Sequence, residues 1–235
     1  MKFRDLLFKN IADNYHPHSL AAKLRLKRIA LLKGLLTKVP GPVRLLDVGG
    51  TEIFWECTGW ESLKEIDLQI TLLNRDETDA PYYFKEAKVH YPNLVRVTGD
   101  ARDMSLFGSR QFDVVFSNSV IEHLKNADDQ MRMAQEVRRV GKRYFIQTPN
   151  LYFPVEPHFL FPYFQFLPLR LRVWMVRHFD VGRYKKIPDH EKAATEVEAI
   201  RLLDKKELTR LFPGSVIFEE KFLGLVKSFV AYKGF

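Results

Sequence analysis

Short apolar runs that end in polar residues recur along the chain, and segments of helical character separate them. The runs are VRLLDVGG at 43–50, ITLLN at 70–74, LVRVTGD at 94–100, FDVVFSNS at 112–119 and RYFIQTPN at 143–150. Apolar strands joined by helical crossovers are typical of a parallel sheet with helices on both faces. We therefore expect an α/β, doubly wound fold in which the polar strand endings lie at one edge of the sheet.

A basic segment precedes the first strand. We expect a helix from Ser19 to Val39, ended by Pro40-Gly41-Pro42, as the main element of an N-terminal helical arm at 1–40. Its apolar stripe is interrupted by Lys27, excludes Ile29 and Leu36, and consists of Leu20, Leu24, Leu31 and Leu35. The arm holds nine basic and two acidic side chains, so it carries +7 of the net charge of +8. The remainder is nearly neutral, which disfavours a nucleic-acid groove there.

The region after the fifth strand changes in composition. Residues 151–189 are rich in aromatic residues and in prolines that forbid one long helix, so they are expected to form an insertion over the sheet edge. A helix is predicted at 204–212, and two closing strands are predicted to form an antiparallel hairpin around Leu223-Gly224. The prediction is a seven-stranded, mostly parallel sheet within a domain at 41–235.

Cysteine usage and hydropathy restrict the cellular setting. Cys57 is the single cysteine, so the chain has no internal disulfide and no zinc-type cysteine spacing. The N-terminal residues carry charges where a signal peptide needs an apolar core, and the apolar stretch at 159–169 is too short and interrupted to span a bilayer. We expect a cytoplasmic protein.

The motif LLDVGGTEIFW gives the first indication of function. A glycine pair after a buried strand lets a ligand approach the backbone where a Cβ would clash, and Asp47 can accept hydrogen bonds there. The dinucleotide and P-loop glycine patterns are absent from the sequence. Polar residues also follow the next three strands, at Asn74, Asp100 and Asn118.

With these endings in this order, residues 43–150 resemble the class I S-adenosylmethionine-dependent methyltransferases. The resemblance implies a Rossmann-like fold and S-adenosyl-L-methionine as cofactor, with S-adenosyl-L-homocysteine as product. The resemblance implies that the first loop, which carries the methionine part of the cofactor, consists of Asp47, Gly49, Gly50 and Thr51. It implies that Asn74 contacts the ribose, that Asp100 and Ala101 contact the adenine, and that Asn118 lies beside the methionine moiety. Two positions depart from the family: Gly49-Gly50-Thr51 replaces a GxGxG loop, and Asn74 replaces an acidic ribose ligand, so this contact lacks charge assistance.

From about residue 18 onward the chain also resembles methyltransferases of bacterial polysaccharide and cell-surface glycan biosynthesis. That similarity implies O-methylation of a sugar or of a lipid-linked saccharide. A small phenol or quinone intermediate is the alternative acceptor. An RNA methyltransferase and a non-catalytic cofactor-binding module also remain open.

Methylation of a hydroxyl requires a base, and three side chains are candidates. His123 follows the fourth strand, and imidazole titrates near working pH. Glu156 and His158 lie two residues apart in the aromatic insertion. Glu122 adjoins His123, but neighbouring helical positions diverge, so no metal site is expected.

The basic and aromatic segments suggest a further partner. Cationic residues attract anionic headgroups, while aromatic rings settle at the bilayer interface. Residues 18–38 and 151–186 are therefore candidates for peripheral contact with the inner face of the membrane. The alternative, which we favour, is that the first segment is a solvated basic helix that covers the sheet. The sequence does not determine the oligomeric state.

Overall fold

The computed structural model describes residues 20–57, 63, 65–75 and 93–235. Its sheet has seven strands in the order β3-β2-β1-β4-β5-β7-β6. The strands are β1 Val43–Val48, β2 Leu68–Asn74, β3 Leu94–Thr98, β4 Val114–Asn118, β5 Tyr144–Pro149, β6 Val216–Phe222 and β7 Leu225–Lys233. The helices are α1 Leu20–Leu36, α2 Glu52–Cys57, α3 Ala127–Val140, α4 Leu169–His178, α5 His190–Glu198 and α6 Lys205–Leu211. The expected mostly parallel α/β sheet is confirmed.

By internal contacts the chain divides into two compact units, which are described separately. Unit 1 comprises the described residues up to Ser117, with Glu136–Phe145 and Lys233–Phe235. Unit 2 comprises Asn118–Gln135 and Ile146–Tyr232.

In unit 1, β1 is the innermost of the first three strands and pairs in parallel with β2, which pairs in parallel with β3. Its apolar residues are fully buried, as the sequence VRLLDV predicts for a central parallel strand. Trp55 from α2 is also fully buried and packs against Phe116 of β4, with ring centroids 5.4 Å apart. This packing fixes α2 beside the loop that follows β1.

The arm helix is present, but the expected stripe on α1 is only partly right. Leu35 is buried as expected and Leu31 is half-buried, while the side chains of Leu20 and Leu24 lie outside the described residues. Ile29 and Leu36, which the stripe excluded, are buried together with Leu32 at i, i+7 and i+3. Apolar residues of α1 lie on several of its faces, so the sequence pattern alone does not determine which face packs inward.

In unit 2 the predicted hairpin and helix are both confirmed. β6 and β7 pair antiparallel, and Leu223 and Gly224 at the turn have φ values of 50° and 81°, as a two-residue primed turn requires. Asp204 accepts a hydrogen bond from the Glu207 backbone N–H at 2.8 Å, and the Glu207 side chain accepts one from the Asp204 N–H, so a capping box starts α6.

The aromatic insertion contributes a core of its own within unit 2. Phe159 and Phe164 stack with centroids 4.2 Å apart and pack with residues of α4 and α5, such as Val176 and Val197. None of the helices that the structure describes combines the length and apolarity needed to cross a bilayer.

Candidate functional site

In unit 1 the carboxyl ends of the parallel strands are in register. Val48 pairs with Leu73 of β2, and Asn74 pairs with Thr98 of β3. Backbone hydrogen bonds continue just beyond the strands, from Gly49 N–H to the Leu73 carbonyl and from Gly99 N–H to the Asn74 carbonyl, each 2.8 Å long. The loops that carry the predicted cofactor residues of unit 1 therefore start at one sheet edge.

Asp47 is a buried carboxyl at this edge. Its Oδ2 accepts a hydrogen bond from the Trp55 indole N–H at 2.8 Å, while its Oδ1 is buried and has no hydrogen-bond partner among the described residues. Burial raises the pKa of Asp47 to about 7, and the Trp55 hydrogen bond opposes this rise. The free oxygen is suited to accept a hydrogen bond from a ligand.

The glycine pair after Asp47 leaves no room for side chains. Gly49 has a φ of 75°, in the left-handed region that favours glycine. A Cβ on Gly50 would lie 1.7 Å from Oδ2 of Asp47. Thr51 has a local role as well, because its hydroxyl accepts a hydrogen bond from the Phe54 N–H at 3.3 Å and so caps α2.

Asn74, the predicted ribose residue, is half-buried and braces the first loop. Its Nδ2 donates to the Gly50 carbonyl at 2.8 Å. The side-chain oxygen of Asn74 is the atom that can accept a hydrogen bond from a hydroxyl.

The predicted adenine residue Asp100 follows β3 and has a strong internal partner. Arg102 donates to both of its carboxylate oxygens, at 3.0 Å from Nε and 2.6 Å from Nη2. These bonds hold the pKa of Asp100 below its usual range. Ala101 between them is half-buried and adds no bulk.

In unit 2, Asn118 ends β4 and is half-buried. The next residue, Ser119, has a φ of 57°, and its hydroxyl donates to the side chain of Gln147 at 2.9 Å. The chain then enters a single 3-10 turn at Ile121–His123.

Glu122 within this turn is fully buried. Its Oε2 accepts a hydrogen bond from the Thr148 hydroxyl at 3.0 Å, while its Oε1 has no partner in the part of the chain that the structure describes. Burial raises the pKa of Glu122 to about 6. Sequence reasoning left Glu122 out of the predicted site.

Glu156 and His158 form a dyad. His158 Nδ1 lies 2.7 Å from Oε1 of Glu156, and the Glu156 Oε2 accepts the backbone N–H groups of His158 and Phe159 at 2.7 and 2.6 Å. Because Glu156 is buried and its oxygens are occupied, it fixes the orientation of the His158 ring.

His123 stands against this dyad. Its ring is T-shaped to that of His158, with centroids 4.8 Å apart. Burial of the His123 ring in the surrounding protein is the main cause that lowers its pKa, and the charges of His158 and Arg183 lower the pKa further. More than a third of the residue nevertheless stays exposed to solvent. The imidazole is therefore neutral at neutral pH.

The structure thus brings the three predicted catalytic residues, His123, Glu156 and His158, together. Glu122 lies beside them, because one potential ligand atom each of Glu122, His123 and His158 lies within 4.8 Å of the other two. The same unit also has a cavity of about 450 Å³ whose lining includes Phe159, Phe161 and Trp174.

Sequence reasoning did not select three other residues of these clusters. Trp55 and Arg102 hold the carboxylates of Asp47 and Asp100, and Thr148 holds that of Glu122. Thr148 is a polar residue near the end of a fully buried strand, and this position in the sequence could have indicated that its side chain belongs to the site.

Comparisons with known proteins agree with the fold. Residues 59–144 match the family described as "Methyltransferase domain". Two uncharacterized proteins of Mycobacterium tuberculosis, Rv1509 of strain H37Rv and MT1557 of strain CDC 1551, are each 41% identical over 69 residues, which is 29% of this chain and 23% of theirs. The chain thus spans about a quarter of the length of these relatives.

Solved structures share the architecture at low sequence identity. The trans-methyltransferase CalH in complex with S-adenosylhomocysteine is 14% identical, with a TM-score of 0.53 over 99% of this chain and 61% of CalH. A Burkholderia thailandensis 1,6-didemethyltoxoflavin-N1-methyltransferase is 13% identical, with a TM-score of 0.50 over 93% of this chain and 82% of the other. The chain therefore has the fold that these methyltransferases share, and its residues 59–144 are similar to the methyltransferase-domain family.

Proposed function

We propose that this protein transfers a methyl group from S-adenosyl-L-methionine to a hydroxyl of a sugar or of a lipid-linked saccharide. The observation that carries the proposal is the edge of unit 1, where buried Asp47 keeps an unpaired oxygen beside the bare backbone of Gly50, within a methyltransferase-type sheet. When bound, the cofactor supplies an electrophilic methyl group on a sulfonium sulfur.

The residues of unit 1 suit the cofactor by their chemistry. The free Oδ1 of Asp47 can accept a hydrogen bond from the ammonium group of the methionine moiety, a charge-assisted contact. Gly49 and Gly50 let the backbone approach the ligand, and Asn74 can accept a ribose hydroxyl while its amide holds the loop. Asp100, kept ionised by Arg102, can accept a hydrogen bond from the adenine amine.

The residues of unit 2 suit removal of the acceptor's proton. Hydrogen bonding to Glu156 places the proton of His158 on Nδ1, so Nε2 presents its lone pair. His123 is the second imidazole in reach of the same space and is neutral at neutral pH. We assign proton acceptance to this histidine pair.

The cavity of unit 2 supports an acceptor with an apolar part. Its aromatic lining fits the isoprenoid or acyl chain of a lipid-linked saccharide. The same rings fit a small phenol, which is the second candidate acceptor.

Exposed apolar side chains around this cavity support contact with an anionic bilayer from the cytoplasmic side. Trp174 and Phe179 are 49% and 54% exposed, and α4 adds Arg170 and Arg177. Aromatic and basic residues together bind such surfaces.

The experiment begins with the cofactor. S-adenosylhomocysteine at millimolar concentration should raise the melting temperature of the full chain, and Gly50→Ala should abolish this rise. A wild-type protein that shows no shift contradicts the proposal. Turnover is then screened against sugar nucleotides, lipid-linked saccharides, phenols and RNA, and methylation of RNA or of a phenol alone would contradict the proposed acceptor.

A further inference from the structure

We infer that Glu122, His123 and His158 form a binding site for one divalent transition-metal ion, with Glu156 as the residue that orients His158. The three potential ligand atoms lie within 4.8 Å of one another. All belong to unit 2. The spacing of Glu122 and His123 along the chain predicts no such site, but in the structure their potential ligand atoms lie within 4.8 Å of each other, and the loop carrying His158 supplies the third donor.

The distances are within reach of coordination. Ligand atoms bonded at about 2.0–2.1 Å to a tetrahedral ion lie about 3.4 Å apart. The distances of up to 4.8 Å between the ligand atoms must therefore shorten by little more than 1 Å for all three to bind one ion. His123 is more than a third exposed, so its ring has room to rotate toward the other donors.

An independent observation comes from Glu122. The carboxyl group is fully buried, Thr148 binds one oxygen, and Oε1 lacks a partner among the residues the structure describes. A buried polar atom without a partner is costly and is uncommon in folded proteins. Coordination to a cation would satisfy this oxygen.

The dyad gives a second independent observation. Glu156 accepts the Nδ1 proton of His158 and is itself held by two backbone N–H groups. A carboxylate behind a histidine is the usual support of a metal-ligating imidazole, because it fixes the tautomer and directs Nε2 toward the ion. This support is formed in the structure.

The donor set defines the class of ion. Two imidazole nitrogens and one carboxylate oxygen suit Zn²⁺, Fe²⁺ or Co²⁺, whereas Mg²⁺ and Ca²⁺ prefer oxygen donors throughout. Three protein ligands also leave a coordination position for water or for an acceptor oxygen.

Metal binding has a consequence for the chemistry of the histidine pair. A ligated imidazole has no lone pair to accept a proton, so the metal-bound state and the free-base state exclude each other. The inference concerns binding alone and stands whether or not methyl transfer uses the ion.

Direct binding measurements test the inference. The full chain, stripped with a chelator, is titrated with Zn²⁺ by calorimetry and with Co²⁺ by visible absorption. We expect one ion per chain, about 10²-fold or greater weakening in His158→Ala and Glu122→Gln, and about 10–100-fold weakening in Glu156→Gln. His190→Ala, which removes an exposed histidine at the start of α5, is the matched control and should bind as the wild type does.

Two outcomes would overturn the inference. One is the absence of stoichiometric binding of either ion by the wild type. The other is unchanged affinity in folded His158→Ala protein, since this would place the ion at surface histidines. Circular dichroism confirms folding, and His158→Asn replaces His158→Ala if the smaller residue unfolds the loop.

Discussion

Replacing the buried Asp47 by Asn removes the charge of this carboxyl but keeps its shape, so the variant measures what the buried charge costs in stability. The amide keeps an oxygen that can accept the Trp55 hydrogen bond, and it removes the charge that burial disfavours. We expect Asp47→Asn to change the dependence of stability on pH.

The sign follows from the raised pKa. The ordinary value for Asp is 3.8, and burial raises the folded-state pKa of Asp47 to about 7. A carboxyl with a raised pKa contributes its stability below the unfolded value and loses it as pH rises through the folded value. At 1.36 kcal/mol per pKa unit, three units correspond to about 4 kcal/mol as an upper bound, lost between about pH 4 and pH 7.

Urea unfolding measured at intervals from pH 4.5 to pH 8 gives the assay. The unfolding free energy of Asp47→Asn should exceed that of the wild type at pH 8 by about 2–4 kcal/mol, and the two should converge toward pH 4.5. Asp128→Asn, which removes an exposed carboxylate in the first turn of α3, should give no such divergence. A constant difference between Asp47→Asn and wild type at every pH would contradict a raised pKa of Asp47 in the folded protein.

Four further predictions concern individual contacts. Gly50→Ala should destabilise the protein by about 1–3 kcal/mol in urea unfolding, because its Cβ would overlap Asp47; unchanged stability would show that the loop relaxes freely. Asn74→Ala should cost about 1 kcal/mol and weaken S-adenosylhomocysteine binding by calorimetry, and unaltered affinity would remove it from the cofactor site. Glu207→Ala should cost about 1 kcal/mol through the capping box, with no effect on that affinity, so a loss of binding would contradict a purely structural role. His123→Ala should retain cofactor binding and lose at least about 10²-fold in turnover with an accepted substrate, and unchanged turnover would exclude it as base.

Local patterns in the sequence determined the elements of this fold. A buried strand needs only a run of apolar residues, a primed hairpin turn favours a glycine such as Gly224 between two strands, and a capping box needs Asp204 three residues before Glu207. The glycine pair after VRLLDV marked the loop where a ligand can approach the backbone. These features depend on neighbours along the chain, so they can be read without coordinates.

Tertiary structure alone decided how the side chains are used. Only packing determined that α1 buries Ile29, Leu32 and Leu36, because apolar residues surround much of that helix. Contacts between residues far apart in the sequence place the Asn74 amide where it donates a hydrogen bond to the Gly50 carbonyl. Such contacts also bring His158 close to Glu122 and His123. The raised pKa of Asp47 arises from exclusion of water by residues distant in sequence, and no local pattern encodes that exclusion.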